Sequence, residues 1–482
     1  MHAKFLVAAA LLLLSACSQN AQTQKNETAN TQTIEIPAGG VIDCFATGCG
    51  DANRELSDEP AAPSDKEVLA TQLRAALEAQ SGGLGLSAFV LPDSDDLDAL
   101  PQDPLNPVTT EKVALGKLLF HDERFALDGL SDQEPSWSCA SCHKVGSGMK
   151  PGIPQGIGEG GIGIGKNRVL AFGFDPLAAE DAPNRPDMQP IAVPSILNVA
   201  MQEVVLWNGQ LGNATNGLIN SALAQDVVSP NSLPSSVNVH QMGGLESQAI
   251  AGQTVHRLRF THDSPLQEVP AYQTLWNAAY PGGSTNIAVD AAKAIAAFER
   301  TVYANQAPFQ QWLKGDDNAL NESELAGANL FFGKAGCSSC HTGPALSSWP
   351  GAQENELFFA VGFEDFDNNK VAIHGVIADE ARLGRGGFTQ NPLQNYQFKV
   401  PQLYNLADAN ILGHGASFSS IKEVVQYKNN AIPQNPDAQS FLDARFQPLN
   451  LTTREINEIT TFLTSALHDP KLARYVPTEF PR

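Results

Sequence analysis

Basic charge is scarce in this 482-residue chain: 30 Lys and Arg stand against 52 Asp and Glu, for a net charge of -22. Tracking a phosphate backbone needs clustered cations, so nucleic acid is excluded as a partner, whereas a basic electron-donor protein suits such a surface. Methionine is scarcer still: none of the five lies beyond Met242, and no histidine lies between His143 and His240. Long apolar runs are missing after Leu14, and roughly 18 uninterrupted apolar residues are needed to span a bilayer, so the body of the protein is expected to be soluble. The glycine-dense stretch 146–165 has neither a preceding strand nor the following Lys-Ser/Thr of a phosphate cradle, and reads as an irregular loop.

What is present is organised around two pentapeptides, Cys139-Ala140-Ser141-Cys142-His143 and Cys337-Ser338-Ser339-Cys340-His341. A lone C-x-x-C suits a redox dithiol or half a zinc site. The adjacent histidine in both copies points instead to two covalently bound c-type haems, the thiols bonding to haem vinyl groups and the histidine to iron. Four cysteines paired as disulfides would leave both histidines without a role.

The duplication extends beyond the pentapeptides. Leu115-Gly116-Lys117-Leu118-Leu119-Phe120 precedes the first and Ala326-Gly327-Ala328-Asn329-Leu330-Phe331 the second, with 13 more residues between Phe120 and Cys139 than between Phe331 and Cys337. Lys112–Phe120 and Ala288–Tyr303 carry helical apolar spacing, the latter through Ala291, Ile295, Phe298 and Val302. Ser420-x-x-Glu423 and Thr452-x-x-Glu455 have the form of capping boxes that open helices. The fold class is mainly α, with long loops.

Lys4 and the apolar run Phe5–Leu14 read as a signal peptide. Leu14-Ser15-Ala16-Cys17 resembles a bacterial lipobox, in which Cys17 would carry the lipid anchor to a membrane; the alternative is an ordinary secretory signal. Subtracting that cysteine and the four of the haem motifs leaves Cys44 and Cys49, a disulfide in an oxidising compartment or a surface metal or redox pair. Residues 18–95 are polar with one short helical pattern, Val68–Leu77, and read as a tether. The expected organisation is a signal peptide over 1–16, a flexible tether over 17–95, an N-terminal haem domain over 96–310 and a C-terminal haem domain over 311–482.

The segments Leu115–Phe120, Cys139–His143, Pro194-Ser195-Ile196-Leu197-Asn198, Trp207-Asn208-Gly209, Leu245-Glu246-Ser247-Gln248-Ala249, Cys337–His341, Val400-Pro401-Gln402-Leu403-Tyr404-Asn405 and His414-Gly415 resemble, in that order, bacterial di-haem cytochrome c peroxidases and their MauG-type relatives. The resemblance implies two cytochrome c-like haem domains in the periplasm. An N-terminal haem would meet hydrogen peroxide and a C-terminal haem would supply electrons. It also implies His143 and His341 as proximal iron ligands, and Trp207 either as a relay between the haems or as a packed side chain. The electron source would be a small cytochrome or cupredoxin. The alternatives are a MauG-like oxidase acting on side chains of a partner protein, and a non-catalytic di-haem electron-transfer lipoprotein, tethered at Cys17 to a bacterial membrane, most simply the outer one.

Departures from the family pattern define the open questions. Gln248 matches the family's distal glutamine, but ten residues on, where the family has its acid/base glutamate, stands Leu258. A loop two residues shorter places His256 there, with Glu246 as the fallback; imidazole can move a proton at neutral pH. Sixteen residues after the first motif, where peroxidases of this family carry a blocking histidine, stands Glu159, read as a solvated loop charge. The first iron is therefore expected to be open. The second haem has no methionine for its sixth ligand. Fourteen residues beyond His414 lies Lys428, next to Tyr427. A helix starting after Ser420 puts Ile421, Val424, Val425 and Lys428 on one face and turns Tyr427 aside, whereas the MauG group uses tyrosine. The family's inter-haem calcium takes its side-chain ligand two residues before Pro194, where this chain has Ala192, so calcium here would rest on backbone oxygens.

Overall fold

The computed structural model describes residues 64–202, 204–212, 240, 242–367, 375, 377–409 and 411–482. The signal peptide, Cys17 and the Cys44–Cys49 pair lie outside these residues. Helices dominate. Those that place the site are α1 (Asp65–Gln80), α2 (Thr110–His121), α3 (Cys139–Cys142), α4 (Gly244–Val255), α5 (Ile287–Glu299), α6 (Glu322–Phe332), α7 (Ile421–Asn430) and α8 (Thr453–Thr461). Among the described residues the strands are two-residue antiparallel pairs: β1 (Gly161–Ile162) with β2 (Val169–Leu170), β3 (Val204–Val205) with β4 (Leu211–Gly212), and β5 (Phe358–Phe359) with β6 (Phe398–Lys399). None of the described helices is long and apolar enough to cross a membrane.

Helix ends fall where side chains can satisfy the free amides. Thr109 caps α2 by accepting from Lys112 N at 3.2 Å, and Asn286 caps α5 by accepting from Val289 N at 3.2 Å. The boxes at Ser420/Glu423 and Thr452/Glu455 open α7 and α8 as the sequence indicates. The α5 stripe is wider than expected: nearly every residue from Val289 to Glu299 is buried, because α5 is covered by both α2 and α4.

The sequence duplication is a duplication of structure. α2 crosses α5 at Gly116, where a Cβ would overlap the carbonyl of Ala294; α6 crosses α8 at Gly327, where a Cβ would overlap the carbonyl of Glu458. Four residues on, Phe120 lies 5.3 Å from the ring of Phe298 and 6.2 Å from His143, and Phe331 lies 5.5 Å from Phe462 and 6.4 Å from His341. The loops after the two motifs repeat as well. Asn198 and Asn405 both adopt the left-handed conformation, with φ of 59° and 55°. Each side-chain oxygen accepts a backbone amide beyond its closing helix, from Ala304 at 2.9 Å and from Asp469 at 3.1 Å.

One expectation changes. Composition reads residues 18–95 as a tether, yet from Ser64 onward the chain is packed. Ala70, Leu73 and Leu77 of α1 are buried against α6, and Leu91 N donates to Gln310 Oε1 at 2.8 Å. Three apolar residues at helical spacing suffice to dock a helix when a complementary face awaits it, which composition over a long window conceals. The main apolar core then draws on residues from Ala70 to Tyr475 and runs through both repeats.

Replacing either crossing glycine forces two helix backbones apart. Gly116→Ala and Gly327→Ala should each cost about 1–3 kcal/mol or more despite the better helix propensity of alanine, measured by chemical denaturation; variants as stable as the parent would refute the close crossing.

Candidate functional site

The first motif sits on the single turn α3, where Ser138 N donates to Ser141 Oγ at 3.0 Å. Cys139, Cys142 and His143 line a cavity of about 1030 Å³. His143 Nδ1 faces the Met149 carbonyl at 3.2 Å, and burial holds the imidazole down to about 4, against that carbonyl. The ring is neutral, with Nε2 free to act as a donor to a metal. Burial pushes both thiols up to about 12, the reverse of the lowered pKa that a redox dithiol requires. Both cysteines are unpaired, and among the described residues no three His, Cys, Asp or Glu side chains converge as a metal site. The donor set fits haem and fits neither a disulfide nor zinc.

Another wall of this cavity is α4. Gln248, Gly252 and His256 follow one another at four-residue spacing, and all three line the space. A Cβ on Gly252 would lie 3.6 Å from Gln248 Nε2 and 3.7 Å from His256 Cδ2, so the glycine leaves a gap between the two polar groups. His256 Nδ1 is 2.9 Å from Oδ2 of buried Asp187, and the His256 carbonyl accepts Trp137 Nε1 at 2.8 Å. Burial opposes charge on His256, but the Asp187 carboxylate outweighs it and leaves the imidazole pKa above its ordinary value.

Two carboxylates stand elsewhere than the sequence reading put them. Glu246 is on α4 but does not line the cavity. It is fully buried in a forked pair with Arg300, at 2.7 and 2.9 Å from Nη2, and accepts Asn106 Nδ2 at 3.0 Å. Glu159 is not a solvated loop charge. It is fully buried, ion-paired with Arg257, and accepts Leu130 N at 3.0 Å, Ser131 N at 2.8 Å and Ser131 Oγ at 2.5 Å. Burial disfavours its charge, yet these donors hold the carboxyl below its usual range. Leu130 and Ser131 belong to the 13-residue insertion, which therefore anchors the glycine-rich loop. Nothing in the spacing of the sequence brings these segments together.

The second motif forms a 3₁₀ turn over Cys337–Ser339. Cys337, Cys340 and His341 line a second cavity of about 270 Å³. His341 Nδ1 faces the Leu346 carbonyl at 2.9 Å, and burial again holds the imidazole down to about 4. The α7 phase is as expected: Ile421, Val424, Val425 and Lys428 all face this cavity. Lys428 Nζ lies 4.8 Å from the Phe363 ring and 5.2 Å from that of Phe446, and burial pulls its pKa down to about 8. Tyr427 does not line the cavity. Its hydroxyl donates to the Val361 carbonyl at 2.5 Å, its ring packs on Phe363, Phe418 and Phe446, and burial pushes its pKa up.

The two cavities share a wall that holds the aromatic rings of Trp207 and Phe398, with Leu206, Gln202 and Lys399. Trp207 Nε1 donates to the Ala192 carbonyl at 2.6 Å, and its ring lies 6.2 Å from His414, itself stacked on Phe398 at 3.7 Å. The one backbone oxygen at position 192 thus already accepts the indole. Two histidines held neutral by burial, each preceded by two cysteines, open on adjacent cavities of a mainly α fold.

Comparison narrows the class. Residues 110–318 match the family model described as di-haem cytochrome c peroxidase, a family whose description implies haem as cofactor. It is 25% identical to the methylamine utilization protein MauG of Methylorubrum extorquens over 77% of this chain and 83% of that protein. It is 27% identical to the cytochrome-c peroxidase IdrP1 of Pseudomonas sp. (strain SCT) over 79% of this chain and 86% of that protein. A solved structure of a MauG-like protein associated with microbial copper homeostasis shares the fold, with a TM-score of 0.52 at 22% identity, covering 79% of this chain and 95% of that one.

The sequence reading missed Glu299. It closes the apolar helix α5, is 3% exposed, lines the first cavity, and its Oε2 has no hydrogen-bond partner. A carboxylate ending an Ala-rich buried helix was the available signal. Burial, then the nearby Glu246 charge, push its pKa up to about 8, against Arg300. A folded-state pKa above the unfolded one means that proton binding favours folding. That contribution is complete below the unfolded value and is lost as pH rises through about 8. Glu299→Gln should therefore gain stability relative to the parent between pH 5 and pH 8, by a few kcal/mol in urea denaturation; a pH-independent difference would mean that the carboxyl is ionised throughout.

Proposed function

We propose that this chain is an exported periplasmic di-haem c-type peroxidase that reduces hydrogen peroxide at its N-terminal site with electrons relayed through its C-terminal site. One observation carries the reading: two cysteine–histidine sites open into cavities that share a wall holding Trp207, and only the first faces a Gln248–His256 pair. The chain would form two cytochrome c-like units, over 96–310 and 311–482, in which Cys139, Cys142 and His143 would hold one haem and Cys337, Cys340 and His341 the other. Bound haem supplies the iron at which peroxide is reduced and a second centre that stores an electron. A lipid anchor at Cys17 would hold the protein to the membrane, most simply the outer one, and a small basic cytochrome or a cupredoxin suits the acidic surface as donor.

The overall change, H2O2 + 2 H+ + 2 e− → 2 H2O, needs proton movement that iron cannot perform. His256 can take a proton from one peroxide oxygen and return it to the leaving oxygen, because Asp187 fixes its Nδ1 and leaves Nε2 available. Gln248, across the Gly252 gap, can orient the bound peroxide by hydrogen bonding. Glu246, committed to Arg300, has no access to the reacting atoms. Trp207 offers the aromatic path between centres. At the second site Lys428, with its pKa pulled down by burial, can present a neutral amine as sixth ligand, while Tyr427 is committed to Val361. The MauG relatives favour a second reading of the same site, in which the electrons come from side chains of a partner protein.

His256→Gln should slow the reaction with peroxide by about 10²–10⁴-fold in stopped-flow measurements. In the parent the rate should fall on the acid side of a pKa above 6.5, because only neutral imidazole accepts the proton, and the variant should lose that limb. A resting EPR spectrum in which the first haem carries two strong nitrogen ligands would overturn the open site. Lys428→Ala should abolish the six-coordinate signature of the second haem and Tyr427→Phe should keep it; the reverse pattern would assign the ligand to Tyr427.

A further inference from the structure

Among the described residues no anion pairs with Lys399. It ends β6, its backbone N donates to the Trp207 carbonyl at 2.7 Å, and its side chain is 7% exposed. Nζ donates to the side-chain oxygen of Gln202, and among the described residues no carboxylate pairs with it. Burial alone pulls its pKa down to about 7. A buried, unpaired ammonium is costly, and a fold retains one where a partner arrives from outside the chain. Lys399 lines both cavities, on the wall that holds Trp207. Lys150 makes a useful contrast: its Nζ donates to the Ile411 carbonyl at 2.8 Å, and it lines the second cavity alone.

Each haem brings two propionate carboxylates, the anionic chemistry this wall lacks. We infer that Lys399 is the shared cation for haem carboxylates at the wall between the two sites, and that it holds the reduction potentials of both haems up. This rests on the two-haem reading above. Reduction adds an electron to iron in a low-dielectric setting, so a positive charge held on Lys399 by adjacent carboxylates favours the reduced form of either centre, and removing it leaves a carboxylate uncompensated beside both. Lys399 is on this account a positioning residue for cofactors and touches no peroxide.

The test is spectroelectrochemical titration of the full-length, haem-loaded protein and its Lys399→Met, Lys399→Arg and Lys150→Met variants. Lys399→Met should lower both potentials, each by tenfold or more in the one-electron equilibrium, about 59 mV. Lys399→Arg should stay near the parent, and Lys150→Met should move only the C-terminal haem. A fully loaded Lys399→Met protein with either potential unchanged overturns the inference. If Lys399→Met and Lys399→Gln both fail to retain haem, retention by Lys399→Arg supports it, and equal loss in Lys399→Arg overturns it. Fewer than two haems per parent chain, by alkaline pyridine spectrum, would instead refute the two-haem reading itself.

Discussion

Two backbone contacts carry the architecture. At Gly116 on Ala294 and at Gly327 on Glu458, two helices cross without a side chain between them. That closeness fixes where the next turn of each helix can go, and so puts Phe120 and Phe331 against the ring of the adjacent histidine and against a phenylalanine of the closing helix. The short turns bearing the cysteines are too small to hold themselves; α3 is one turn long. Their rigidity is borrowed from the crossings, and the imidazole orientation from the Met149 and Leu346 carbonyls. Interiors pack densely enough that such a contact transmits to everything resting on it.

On this duplicated frame the two sites diverge by electrostatics. The first cavity is lined by His256, paired with Asp187, and by Glu299, whose Oε2 has no hydrogen-bond partner among the described residues, while the Glu246–Arg300 and Glu159–Arg257 pairs lie off its lining. The second is mainly aromatic and aliphatic, with Lys428 set among Phe363 and Phe446 and with Asp443 and Arg445 also on its lining. Perturbed acids and bases cluster at functional sites. Trp207 and Lys399 line both cavities.

Much of this was legible in the linear sequence. The pentapeptides, their duplicated leaders, the capping boxes and the α7 phase that turns Lys428 and Tyr427 apart all follow from local spacing, which fixes backbone geometry over a turn or two. Reading failed where a residue's state depends on partners far along the chain. Glu159 looked solvated among glycines, but Ser131 and Arg257 reach it from 28 and 98 residues away. Residues 64–91 looked like a tether, but the α6 face that receives α1 lies more than two hundred residues on.

The sequence by itself therefore determined the chemistry on offer: two cysteine–histidine sites, a mainly α duplicated frame, and the absence of methionine at the second site. Only the tertiary structure decided how that chemistry is distributed. It gave His256 its aspartate and committed Glu246 to Arg300, while Glu299 Oε2, on the cavity lining, has no hydrogen-bond partner among the described residues. The same long-range packing turned Tyr427 to a carbonyl and set Lys399 on the wall common to both sites. The physical reason is that periodicity encodes direction along one element, whereas burial and charge pairing arise only when distant elements meet.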